Sequence, residues 1–314
     1  MKCLIIQTIH EAGIEALRES GITPVFSPAP DMATVAQQIP GIDAAITRDA
    51  GFDSAAFAAS DRLRVVVVHG AGHDPVDKPA AARMNVILAT TPGANARSVG
   101  EMALGLALSV ARRIPAADRA MRSGTPYFRE SARFTELHGK TALIVGWGAT
   151  GRETARMLAA AFDMRILVHS PRAPRIENAT QVATLAEGLA QADLVSLHTP
   201  LRDETRNMMD ATAFATMKPG AILLNLARAG LVDEAALLSA ITSGHLGGAG
   251  LDLSSPAAAR GPLAAHDNVV FCPHLGGTTE DALRRVALEA AHHVVAALNG
   301  KIPETAINLD AWRT

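Results

Sequence analysis

Short apolar runs rich in Val and Ile recur along the chain and alternate with Ala/Leu-rich stretches whose apolar positions follow a helical period. CLII at 3–6, AAI at 44–46 and RVVVV at 64–68 are each followed by such a stretch, at 10–20, 54–60 and 77–83. This alternation is the sequence sign of βαβ units around a parallel sheet. A second series opens with TALIVG at 141. It continues through a helix at 150–162, MRILVH, a helix at 183–190, DLVSL, a helix at 210–217, AILLNL, a helix at 233–243 and NVVF. Two α/β domains are the simplest account. Between them, 94–124 is helical by composition, with Pro115 as a break and Gly124 as a stop. Asp233 caps the 233–243 helix, Glu234 stands in its first turn, and Gly244 supplies the left-handed stop. The last helical segment, 278–300, has no strand after it, so it is expected to return to the first domain. That domain is then discontinuous, 1–95 plus 284–314, around an inserted domain at 96–283.

Bulk numbers narrow the partners. At 314 residues the chain is long enough for two ordinary cores. Lys+Arg 29 against Asp+Glu 31 gives a net charge of -2, with no run of five like charges, which argues against nucleic acid. Cys3 and Cys272 are the only cysteines, too far apart in sequence for a zinc knuckle and too few for a disulfide framework, so a reducing compartment fits. The opening MKCLIIQ is too brief for a signal segment or a membrane span, and a soluble cytoplasmic protein is expected. His69 and His73 lie four apart beside Asp74, but Gly70 and Gly72 argue for a loop, and no metal is expected. His245, beside a helix stop, reads as a solvated C-terminal cation.

TALIVGWGATG places Gly146, Gly148 and Gly151, with Ala149 and Thr150 between the last two, directly after a strand and at the start of a helix. Glycines at this spacing permit a tight turn and a close backbone approach to pyrophosphate, which the helix N-terminus favours electrostatically. An acidic residue about 20 positions on usually accepts the ribose 2'-hydroxyl of NAD. Here Ser170 stands 19 residues after Gly151, followed by Arg172 and Arg175. A serine does not repel a 2'-phosphate, and both arginines can pair with one. NADP(H) is therefore the preferred cofactor and NAD(H) a possible one.

Three further segments occur in order: HGAGHDPVD at 69–77, NLARAGLVDE at 225–234 and FCPHLGG at 271–277, interleaved with GWGATG and HTPLRDET at 198–205. Together they resemble the D-isomer-specific 2-hydroxyacid dehydrogenases, the family of glyoxylate/hydroxypyruvate reductases and phosphoglycerate dehydrogenase. The resemblance implies a Rossmann cofactor domain inserted in a discontinuous flavodoxin-like substrate domain, both doubly wound on parallel sheets. It implies interconversion of a small 2-keto acid and its D-2-hydroxy acid. Arg228 would grip the substrate carboxylate and the reacting oxygen, and His274 would exchange a proton with that oxygen. Backbone N–H groups of Gly70, Ala71 and Gly72 would face the carboxylate. Asp252 would hydrogen-bond the nicotinamide carboxamide, Pro200 and Thr205 would lie along the cofactor, and 94–124 would join a homodimer. The chemistry agrees, because reduction builds negative charge on oxygen and so requires a fixed cation and a proton donor there.

One departure matters for catalysis. The family segment after the position of Asp252 carries a glutamate that pairs with the histidine, whereas this chain reads LSSPAAARGPL. The glutamate's place falls at Ala257 without a gap or at Ser255 with one residue deleted, and neither is a carboxylate. Reduction is then expected to be best at mildly acidic pH and to fall as His274 deprotonates. The competing reading is a dinucleotide-binding regulatory or scaffold protein whose catalysis has weakened. Smaller departures are Asn85 and Ala229 for glycine and Gly100 for alanine.

Overall fold

The computed structural model describes residues 1–173, 176 and 178–309. Arg175 therefore lies outside the described residues. The chain divides into Met1–Asn95 with Thr279–Thr314, and Ala96–Thr278. In chain order the first stretch contains β1 (Lys2–Ile5), α1 (Glu11–Glu19), β2 (Thr23–Phe26), α2 (Met32–Gln38), β3 (Ala44–Thr47), α3 (Ser54–Ala58), β4 (Val65–Val68), α4 (Lys78–Arg83) and β5 (Ile87–Thr90). The second unit begins with α5 (Ala96–Ala111), α6 (Ile114–Ser123), α7 (Phe128–Ser131), β6 (Thr141–Val145), α8 (Ala149–Phe162), β7 (Arg165–His169) and β8 (Thr180–Gln181). It continues with α9 (Leu185–Leu189), β9 (Leu194–Leu197), α10 (Ala211–Thr216), β10 (Ile222–Asn225), α11 (Glu234–Thr242), β11 (Gly248–Leu251) and β12 (Val269–Phe271), after which α12 (Glu280–Leu298) rejoins the first unit.

The first sheet runs β2-β1-β3-β4-β5, the flavodoxin-like order, and the second β12-β11-β10-β9-β6-β7-β8, the Rossmann order with one added edge strand. Register makes the first core legible. Cys3, Ile5, Ala44, Ile46, Val65 and Val67 point to one face, where α12 contributes Ala287, Ala290, Ala291 and Val294. Leu4, Ala45, Val66 and Val68 point to the other, against Val35, Phe57 and Ala81 of α2, α3 and α4. A Cβ on Gly13 of α1 would lie 2.7 Å from the Ala287 carbonyl oxygen, so α1 and α12 cross at backbone contact. The unit boundary accordingly falls at Thr279 rather than at 284, because Thr279 caps α12 and the helix goes with one core as a whole.

Other differences from the sequence reading have local causes. The break expected at Pro115 falls just before it, since α5 ends at Ala111, Arg113 adopts a left-handed φ of 52°, and Pro115 stands in the first turn of α6. Asn85 takes φ 53°, a left-handed conformation that asparagine tolerates in place of glycine. Gly100 is a spatial requirement, since a Cβ there would sit 2.9 Å from Met157 Sδ where α5 crosses α8. His245 is half-buried rather than solvated, for its Nε2 lies 3.0 Å from the carbonyl oxygens of both Phe214 and Met217, at the end of α10. In the first unit, residues beyond α12 cover the edge of β5. Ala306 bridges Ala89, and the buried Asn308 side chain accepts from Leu88 N and donates to Val86 O. An edge covered in this way offers no template for pairing with another chain.

Candidate functional site

In the second unit the glycine loop leaves β6 beside the point where strand order reverses, between β6 and β9. The three glycines have different physical reasons. A Cβ on Gly146, whose φ is 103°, would approach the His198 carbonyl oxygen to 2.5 Å, and one on Gly151 would approach the Gly146 carbonyl oxygen to 2.1 Å. Among the described residues nothing beyond its own chain neighbours lies within 4 Å of the Cβ position of Gly148, the N-cap of α8. The missing side chain therefore leaves a helix N-terminus open, which suits a pyrophosphate. Ala149 and Thr150 form the first residues of that helix. Gly151→Ala is expected to destabilise the fold by several kcal/mol, roughly the cost of severe overpacking. Gly148→Val is expected to keep the melting temperature and weaken dinucleotide binding by about tenfold or more. Thermal scans and calorimetric titration of both variants check the contrast.

The neighbouring loops are tied to this one. Ser170 Oγ accepts from Trp147 N at 3.3 Å, holding the end of β7 to the glycine loop. Thr205 Oγ1 donates to Pro200 O and accepts from Arg202 N, each at 2.8 Å, closing the 200–205 turn after β9. Arg172 pairs with Glu204 of that turn.

Arg228 and His274 are carried past β10 and β12, which flank β11. Asn225, 1% exposed at the end of β10, organises the first of them. Its Nδ2 donates to Arg228 O at 2.8 Å and Leu253 O at 3.2 Å, and its Oδ1 accepts from Ala227 N at 3.1 Å. Arg228 itself is half-buried on extended backbone. Asp252, 2% exposed after β11, organises the second. Its two carboxylate oxygens accept from Leu275 N at 2.7 Å and Gly276 N at 2.8 Å, while its carbonyl accepts from His274 N at 2.9 Å. His274 has φ 58°, uncommon for a residue with a side chain, and its ring is exposed. Asp252, expected along the cofactor, also splints the His274 turn, with one backbone N–H on each carboxylate oxygen. A link between the two halves is direct, because Asp252 N donates to Asn225 O at 3.0 Å. Asn225 was not singled out from sequence; an asparagine closing an apolar strand just before an arginine was the available signal.

In the first unit, the 69–77 loop follows β4. Gly70 N donates to Thr91 Oγ1 at 2.8 Å and to Val68 O at 2.9 Å, so its N–H is engaged within its own unit. Among the described residues no partner takes the N–H of Ala71 or Gly72. At the switch point of this sheet, Gln7 Oε1 accepts from Arg48 N and Ala50 N, and Arg48 Nη1 donates to Thr8 O.

Two buried histidines near these loops set an acid limit. Burial pushes His198 down to about 4, and burial followed by the Arg48 charge does the same to His69. In the unfolded chain both protonate near pH 6.5, so between about pH 6.5 and 4 the unfolded state binds more protons and stability falls with falling pH. The loss is on the order of 1 kcal/mol per pH unit for each histidine. Urea midpoints at descending pH measure it, and a flat series from neutrality to pH 5 would show the rings charged at no cost.

Residues 104–276 match the family model described as D-isomer specific 2-hydroxyacid dehydrogenase, NAD binding domain. The chain belongs to the D-isomer-specific 2-hydroxyacid dehydrogenase family. It is 38% identical over 285 residues to D-3-phosphoglycerate dehydrogenase of Mycobacterium tuberculosis (strain ATCC 25618 / H37Rv), covering 89% of this chain and 54% of that protein. The chain thus spans about half the length of such curated relatives. It is 34% identical over 320 residues to glyoxylate reductase of Thermococcus onnurineus (strain NA1), covering 98% of this chain and 96% of that protein. The crystal structure of TT0316 protein from Thermus thermophilus superposes with a TM-score of 0.90 at 32% identity, covering 98% and 100% of the two chains. Among the described residues no helix is long and apolar enough to cross a membrane.

This member of the family handles the place of the missing glutamate in its own way. Ser255 N donates to Glu234 Oε1 at 2.8 Å and Ser255 Oγ to Glu234 Oε2 at 2.6 Å. Ala257 precedes a short 3-10 turn at Ala258–Arg260. A carboxylate does reach this loop, but it comes from the first turn of α11 and is spent on stapling Ser255.

Proposed function

We propose that the chain is an NADP(H)-preferring reductase that converts a small 2-keto acid, of the glyoxylate and hydroxypyruvate class, to its D-2-hydroxy acid. The observation that carries this reading is the fixing of Arg228 and His274 at the same end of one sheet, through the buried Asn225–Asp252 pair. When bound at the open N-terminus of α8, the dinucleotide supplies the hydride. Arg228 holds the substrate carboxylate by two parallel bonds and cannot lose its charge. His274 gives a proton to the carbonyl oxygen as negative charge builds there. A glyoxylate reductase of matching length among the relatives supports the substrate class. Ser170 with Arg172 supports the phosphorylated cofactor.

The test follows NADPH oxidation with glyoxylate, hydroxypyruvate, pyruvate and phenylpyruvate over about pH 5 to 9, with activity expected to fall toward alkaline pH. Tight NADPH binding with no turnover of any keto acid would leave the regulatory binder, which the lack of a carboxylate side chain at Ser255 and Ala257 favours. A kcat/KM for NADH above that for NADPH would remove the cofactor preference. Homodimerisation belongs to the same proposal. The apolar side of α5 is spent on its own core, through Val99, Ala103, Leu106 and Val110. Ile114, Met121 and Tyr127 beyond it are 52%, 83% and 78% exposed, which offers a second copy an apolar surface. Met121→Glu is expected to shift sedimentation toward the monomer.

A further inference from the structure

β6 lies between β7 and β9, so side chains carried past the ends of those two strands stand on either side of the loop that leaves β6. One ion pair spans that end of the sheet. Arg172, three residues past β7, meets Glu204 in the Asp203–Thr205 turn past β9. The pair is not held rigidly from outside, since its side chains are 65% and 56% exposed. A second cation waits beside it, with Arg202 Nη1 3.9 Å from the same Glu204 oxygen.

We propose that Glu204 is a cofactor-discriminating latch, an internal carboxylate that occupies Arg172 until a 2'-phosphate displaces it. The inference rests on the dinucleotide reading above and says how its phosphate preference is set. A phosphate monoester carries about -1.5 to -2 charges and three strong acceptor oxygens, so it outcompetes a single carboxylate for a guanidinium. The exposed pair is weak enough to be exchanged. Once released, Glu204 has Arg202 within reach, which moves its charge away from the incoming phosphate. A ribose 2'-hydroxyl offers no such exchange, and NAD(H) leaves the latch closed. Preference therefore depends on two residues: Arg172 supplies the attraction and Glu204 limits it.

The test is calorimetric titration of the full-length protein with adenosine 2',5'-bisphosphate and with 5'-AMP, using wild type, Glu204→Gln, Arg172→Ala and the double variant. Removing the competing carboxylate is expected to tighten the bisphosphate by about fivefold. The gain is confined to that nucleotide and vanishes in the Arg172→Ala background, a coupling that only an interacting pair produces. Equal gains for both nucleotides, a gain that survives loss of Arg172, or no gain would overturn the latch. If wild type binds neither nucleotide, the dinucleotide reading fails and takes this inference with it. If both bind and Glu204→Gln changes nothing, only the latch fails.

Discussion

Replacing His274 with glutamine is expected to slow 2-keto acid reduction by about 10²- to 10⁴-fold, the usual worth of a positioned general acid. Glutamine keeps a polar side chain of similar reach but has no proton to give. The turn itself should persist, because Asp252 pins it through the backbone N–H groups of His274, Leu275 and Gly276 rather than through the ring. Cofactor affinity and melting temperature are therefore expected to stay near wild type while kcat collapses. The alkaline fall of the pH profile should disappear with the imidazole that caused it. A loss below tenfold, with that fall retained, would assign the proton to another group.

Replacing Arg228 with glutamine is expected to lower kcat/KM for the keto acid by about 10³-fold, the scale of one lost electrostatic contact in the transition state plus a lost carboxylate anchor. Arg228→Lys should recover little, since a point charge cannot make two parallel bonds to a carboxylate. The backbone at this position is held by Asn225 Nδ2, to which the guanidinium adds a bond from Nη1 to Ala227 O at 2.6 Å, so the fold should tolerate both changes. Dinucleotide affinity measured on the same variants separates the roles. An equal loss of cofactor and substrate binding would mean that Arg228 shapes the loop instead of gripping the acid.

The parts of this molecule legible in sequence were those specified locally. Strands buried on both faces, such as VVVV at 65–68, announce themselves, and so do capped helices and the glycine loop. β11 does not, because it reads GAGL. Its glycines are set by packing from both sides, since a Cβ on Gly250 would meet Leu224 at 2.9 Å and Leu106 of α5 at 3.0 Å, and one on Gly248 would meet the Asn268 carbonyl oxygen at 2.4 Å and Val110 of α5 at 2.5 Å. No strand propensity records a constraint imposed by a helix more than a hundred residues earlier. The site divides in the same way. Arg228 and His274 stand in recognisable segments, whereas the Asp252 splint, the Glu234–Ser255 staple and the engaged N–H of Gly70 are tertiary contacts between distant positions. Asp252 stands out in the sequence for its chemistry, while its hold on Leu275 N and Gly276 N shows only in the fold.

The return of α12 has a consequence for how the chain is made. Ribosomes release the first 95 residues early, but their core lacks Ala287, Ala290, Ala291 and Val294 until the inserted unit has been synthesised. At bacterial-like rates of 5–20 residues per second, those intervening residues take roughly 10 to 40 s. During that interval the inserted unit, contiguous in sequence, can close by itself, while the face of β1, β3 and β4 carrying Cys3, Ile46 and Val67 is covered by α1 and lacks α12. Protease digestion of a released chain truncated after Thr278 should cut the N-terminal segment and spare the inserted unit. The last helix in the sequence thus times the maturation of the first domain.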